Sequence, residues 1–96
     1  MRWLVVGALN VEIQPLIWRL SSLHRLSRRL QVGSHPHQES VKVAILRCGV
    51  GPAMAQRHTT KALQQWRPDA VLNMGTCGAL VDTLQIGDIC TVEGTF

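Results

Sequence analysis

Residues 3–9, Trp-Leu-Val-Val-Gly-Ala-Leu, form an unbroken apolar run near the start of the chain. A strand with one wet face alternates apolar and polar residues. A run without alternation is buried on both faces and needs a covering layer on each side. That demand points to a central parallel strand of an α/β sheet. The first cover follows at once, because Ile13, Leu16, Ile17, Leu20 and Leu23 recur at helical spacing. Proline is comfortable only in a helix's first turn, so Pro15 sets the expected helix start near residues 10–14. Glu12 then lies at or just before that first turn.

The same alternation continues downstream. Residues 30–32 read as a short strand and residues 33–40 as a loop. Residues 41–46 form the next strand, which runs out into Cys48, Gly49, Val50 and Gly51. Pro52 fits the first position of a helix to about residue 65, burying Ala55, Thr59, Ala62, Leu63 and Trp66. Arg67, Pro68 and Asp69 break the chain before a strand over residues 70–74. Residues 86–92 read as a further strand after a turn, with Asp88 bonding neighbouring backbone. Strand, helix, strand, helix, strand, strand is the order of an α/β sheet with parallel elements. No helix follows the last strand, so the chain is expected to be the first part of a larger domain.

Ninety-six residues allow one domain at most. A hydrophobic share of 46% against 17% charged residues is that of a globular chain and argues against disorder. The net charge of +4 owes much to Arg19, Arg25, Arg28 and Arg29. No aromatic residues interleave with them and no nucleic-acid motif accompanies them, so they read as a solvated face rather than a nucleic-acid site. Cys48, Cys77 and Cys90 form no C-x-x-C pair, which predicts reduced, largely buried thiols in a cytoplasmic protein. No run approaches the roughly 18 apolar residues of a membrane span, and no membrane partner is expected. His35 and His37 have no carboxylate or cysteine at ligand spacing, so no metal is expected there. His58 reads as an ordinary helix histidine.

Three segments are candidates for chemistry. The first is the strand end at residues 70–74, which opens into Gly75, Thr76, Cys77 and Gly78. Ligands of open α/β sheets bind at such carboxyl ends, where glycines admit close backbone approach and Thr76 both donates and accepts. Cys77 has no adjacent base and reads as a small residue lining the loop. The second is Glu12, a general base beside Gly7, Ala8 and Leu9 or simply a carboxylate favoured by the helix dipole. Spacing alone does not separate those readings. The third is Gly49, Val50 and Gly51, followed by a helix N-terminus that can present N–H groups to an anion or ribose. A dinucleotide fingerprint needs a small residue at Met54 and an acidic one at Asn73, so no dinucleotide cofactor is expected.

With these residues in place, the chain resembles the nucleoside phosphorylase/nucleosidase superfamily, and most closely its 5'-methylthioadenosine/S-adenosylhomocysteine nucleosidase branch. The resemblance is carried by residues 6–13, by Cys48 to Gly51, by residues 73–80 and by Ile86, Gly87 and Asp88, in family order across nearly the whole chain. It implies a three-layer α/β/α fold around a mixed, mostly parallel sheet, and cleavage of a purine nucleoside's N-glycosidic bond without a cofactor. A glutamate matching Glu12 activates the attacking water. The positions matching Thr76, Cys77 and Gly78, with Gly7, Ala8 and Leu9, line the base and ribose pocket. Hexameric phosphorylases carry a phosphate-binding arginine where this chain has Asn73, so the resemblance favours hydrolysis over phosphorolysis. A phosphorylase and a non-catalytic nucleoside-binding remnant are the alternatives. The family's ribose-binding Met-Glu pair and the aspartate that protonates the leaving base have no counterpart in these residues. The polypeptide alone is therefore expected to be inert, and the family habit predicts a homodimer.

Overall fold

A computed structural model describes residues 1–77 and 80–92. Its elements are β1 (Arg2–Gly7), α1 (Asn10–Ile17), β2 (Ser21–Arg25), β3 (Leu30–His35), β4 (Gln38–Arg47), α2 (Pro52–Trp66) and β5 (Ala70–Asn73). The strands form one mixed sheet in the order β2-β3-β4-β1-β5. β1 lies parallel to both β4 and β5, while β3 runs antiparallel to β4 and β2 to β3.

The unalternating run does what its composition requires. Leu4 and Val6 join Leu30, Val32, Ala44, Leu46, Ala62 and Trp66 in a core on the α2 side. Val5 joins Ile13, Ile17, Val43 and Ile45 in a second core on the α1 side, with Trp3 packed against it. Successive residues of β1 thus feed opposite faces, and one helix covers each. The architecture is the expected three-layer α/β/α arrangement. Asp69 locks β5 to β1 at the strand start: Arg2 N–H donates to its Oδ2 at 2.8 Å, and its own N–H donates to the Arg2 carbonyl at 2.8 Å.

α2 begins as predicted, with Gly51 before it and Pro52 in its first turn, and it ends one residue later than expected. Ala62 and Trp66 are buried and Ala55 and Thr59 partly so, but Leu63, predicted buried, is 39% exposed. Arg2 closes this end of the molecule. Its guanidinium donates to the Trp66 carbonyl and stacks 4.2 Å from the indole centroid.

Four expectations need correction. α1 stops at Ile17, and Pro15 stands in its second turn, where it removes a hydrogen bond to the Val11 carbonyl. A two-turn helix weakened in this way yields, and Leu20 leaves it for the α1-side core while Leu23 falls in β2. The predicted loop at residues 33–40 is instead a tight hairpin, with β3 and β4 separated only by Pro36 and His37. Gly33 suits that strand because a Cβ there would come within 2.9 Å of the Leu20 Cβ. Residues 86–92 form no strand. A strand needs a ladder partner for its N–H and C=O groups, and none pairs with this segment among the described residues. Asp88 does make the predicted turn, taking the Gln85 N–H on Oδ2 at 2.8 Å. Finally, only Cys48 is a buried thiol; Cys77 and Cys90 are exposed.

Candidate active site

β4, β1 and β5 lie side by side and parallel, so their carboxyl ends open on one edge of the sheet. All three predicted segments meet there. Gly7 ends β1, and Ala8 and Leu9 lead from it into α1. Gly49, Val50 and Gly51 follow β4, and Thr76 and Cys77 follow β5. Backbone bonds tie these ends together: Cys48 N–H donates to the Gly7 carbonyl at 2.9 Å, and Met74 N–H to the Val6 carbonyl at 2.9 Å. Gly78 lies outside the described residues.

Glu12 stands at the third position of α1 and joins the end of β1 to the loop after β5. Its Oε1 accepts from Leu9 N–H at 3.1 Å, an N-terminal cap in which the carboxylate reaches back over the first turn. Its Oε2 accepts from Thr76 N–H at 2.9 Å and from Thr76 Oγ1 at 3.2 Å. The helix-cap and site readings left open by spacing are therefore both realised, by different oxygens of one carboxylate. Glu12 and Thr76 are 64 residues apart in sequence, and only the parallel pairing of β1 with β5 brings them together.

The donors set the electrostatics. The Thr76 backbone N–H, foremost, holds the Glu12 carboxyl below its ordinary pKa, with help from Leu9 N–H and the Thr76 hydroxyl; partial desolvation opposes them. The carboxylate is consequently ionised at neutral pH. It remains partly open to solvent, as are Thr76 and Cys77, so a ligand reaches it without rearrangement of the core.

Two glycines make this contact possible. A Cβ at Gly75 would lie 3.0 Å from Glu12 Oε2, tight enough to displace the carboxylate. A Cβ at Gly7 would overlap the Ile13 γ-methyl and push α1 off the strand end. Gly75, expected from the sequence to admit close backbone approach of a ligand, also makes room for the Glu12 carboxylate, a role its spacing does not announce. The glycine loop after β4 has Gly49 at φ 84° and Gly51 at φ 94°, in the region that side chains resist. Next to it, Cys48 N–H donates to the Gly7 carbonyl at the end of β1, so the loop borders the Glu12–Thr76 cluster, and among the described residues none of its three residues hydrogen-bonds either side chain.

Comparison with known proteins shows the family and the fold. A sequence model of the Phosphorylase superfamily matches residues 4–95. The chain belongs to the phosphorylase superfamily. Over 88 residues it is 34% identical to a 5'-methylthioadenosine/S-adenosylhomocysteine nucleosidase of Chromohalobacter salexigens, covering 88% of this chain and 36% of the relative. A protein of the same description from Staphylococcus epidermidis is 32% identical over 88 residues, with 88% of this chain and 37% of the relative covered. The chain thus spans little more than a third of the length of these curated relatives. Among solved structures, the Colwellia psychrerythraea nucleosidase in complex with adenine superposes with a TM-score of 0.80 at 23% identity, over 92% of this chain and 36% of that one. The Streptococcus pneumoniae nucleosidase with a transition-state inhibitor gives a TM-score of 0.78 at 21% identity, over 92% and 38%. These superpositions establish the fold.

Proposed function

We propose that this chain carries the water-activating side of a purine nucleoside hydrolase site, with Glu12 as the catalytic carboxylate. The observation that supports it is the Glu12 carboxylate held by Thr76 at the shared carboxyl edge of β1 and β5, in a chain whose relatives are 5'-methylthioadenosine/S-adenosylhomocysteine nucleosidases. The substrate class is a purine nucleoside bearing a 5'-thio substituent.

The chemistry follows from the charge that develops. As the N-glycosidic bond breaks, its electron pair leaves with the base and the ribose becomes oxocarbenium-like. A fixed, ionised carboxylate stabilises that cation. Water then adds at the anomeric carbon and gives its proton to Glu12. A carboxylate with a lowered pKa is a weak base toward free water, but water grows acidic as its bond to a cationic carbon forms, so a late proton transfer suffices. The Thr76 donors fix the carboxylate in place before the reaction, which removes the cost of orienting it later. The leaving base needs a proton from an acid, which the family resemblance assigns to a part of the fold outside the matched span. Asn73 in place of a phosphate-clamping arginine favours water over phosphate as the second substrate.

The test is a titration of the chain with 5'-methylthioadenosine followed by NMR. Binding is expected to shift the Glu12 and Thr76 signals, with no release of adenine by the chain alone. Binding that leaves both residues unmoved contradicts the site, and turnover by the chain alone contradicts the missing-acid reading.

A further inference from the structure

A second feature of the fold has no part in the nucleoside site. Strand register sets Arg25, Gln31, Ile45 and Val5 in one row across β2, β3, β4 and β1. Val5 and Ile45 belong to the core under α1. α1 is only two turns long, so it covers that end of the row and leaves Gln31 and Arg25 at its flank. The result is a cavity of about 160 Å³ between α1 and the β2–β3 hairpin. Its walls carry Arg25, Arg28, Arg29 and Arg47, and among the described residues no acidic one lines it.

Four cations around one small cavity repel one another, and something must hold them. Arg25 Nη1 donates to the Arg28 carbonyl at 3.0 Å, and Arg29 Nη1 donates to the Arg47 carbonyl at 3.2 Å. These bonds fix two guanidiniums while leaving their other N–H groups free to bind. The amides of Asn10, Gln14 and Gln31 add neutral donors on the same wall. We propose that this cavity binds the phosphate group of a small phosphorylated ligand. Planar guanidinium forks match phosphate oxygens two at a time, and a doubly charged anion offsets the repulsion among the four arginines. The volume suits phosphate with a short substituent.

The site is separate from Glu12. At roughly 100° per residue on a helix, Asn10, Ile13, Gln14 and Ile17 share the face of α1 that lines the cavity, and Glu12 points from the opposite side. The anion site therefore stands or falls independently of nucleoside cleavage. The concave, small cavity and the lack of interleaved aromatic residues favour a small molecule over nucleic acid.

Calorimetric titration of the 96-residue chain with inorganic phosphate and with glycerol 3-phosphate, against chloride at matched ionic strength, tests this. Binding of either one beyond the chloride baseline is expected. Tighter binding of the ester identifies an organic phosphate as the ligand, and tighter binding of the free ion identifies inorganic phosphate. Arg28→Gln and Arg47→Gln are each expected to weaken binding about tenfold or more, because each removes a charged donor. Arg28 is exposed, so its replacement leaves the core intact. Arg19→Gln removes the same charge outside the cavity and is expected to change nothing. Binding no stronger than in chloride, equal losses in all three variants, or single-stranded RNA that binds and resists displacement by phosphate would each overturn the proposal.

Discussion

Glu12 accepts three hydrogen bonds on two oxygens, one from Leu9 and two from Thr76, and the two residues differ in how the sequence announces them. Leu9 N–H is a local cap, legible from a glutamate at the third position of a helix. The two bonds from Thr76 are not legible from spacing, because they depend on which strands pair. The glutamate and the threonine each stood out by residue type; their contact did not. Gly75 controls that contact. Gly75→Ala is expected to leave the fold intact and raise the Glu12 pKa toward its ordinary value, read by carboxyl chemical shift against pH; an unchanged titration would contradict the clamp. The sign of the linkage is fixed by the lowered pKa. Glu12 contributes stability above the ordinary carboxylate pKa and loses it as pH falls through its folded value. His58 behaves in the same sense for a different reason. Burial first, then Arg29, Arg57 and Lys61, lower its pKa. The unfolded chain therefore binds the proton first as pH drops below about 6.5. Melting temperature is expected to fall on acidification below that point, and His58→Gln is expected to flatten the slope there.

At the scale of elements, the residues that revealed most were those buried from two sides. β1 and the inner half of β4 are continuous apolar runs because helices cover both faces, and both were legible. α2 was legible from Pro52 and from the spacing that buries Ala62 and Trp66. The hairpin of β3 and β4 was hidden by composition, since Gly33, Ser34, His35, Pro36 and His37 look like a loop. Gly33 is there because Leu20 occupies the space above it, a reason that only tertiary packing supplies. β2 was hidden because its residues are all exposed, so no apolar period marks it. Trp66 anchors α2 to the sheet, and Trp66→Ala is expected to cost about 3–5 kcal/mol in urea unfolding. A loss under about 1 kcal/mol would mean that α2 is held mainly by something other than this core.

For the whole molecule, the three-layer arrangement explains why the candidate site lies where it does. β1 sits between β4 and β5, and the chain passes through α1 on one face and α2 on the other, so the loops after three parallel strands converge on one edge. The opposite consideration is the outer edge of β5. Val71 and Leu72 are exposed there, as are Ile86, Ile89 and Val92 in the segment beyond. An apolar edge strand favours association, and sedimentation is expected to show self-association that rises with concentration; a monomer at all concentrations would contradict it. In the proposed reaction Glu12 activates water for nucleoside cleavage. The most direct measurement replaces the matched segment of the Chromohalobacter salexigens relative with this chain and follows adenine release from 5'-methylthioadenosine. Release without added phosphate is expected, with a loss of about 10²–10⁴-fold in Glu12→Gln. A folded chimera that keeps its rate after that substitution, or that requires phosphate, would contradict it.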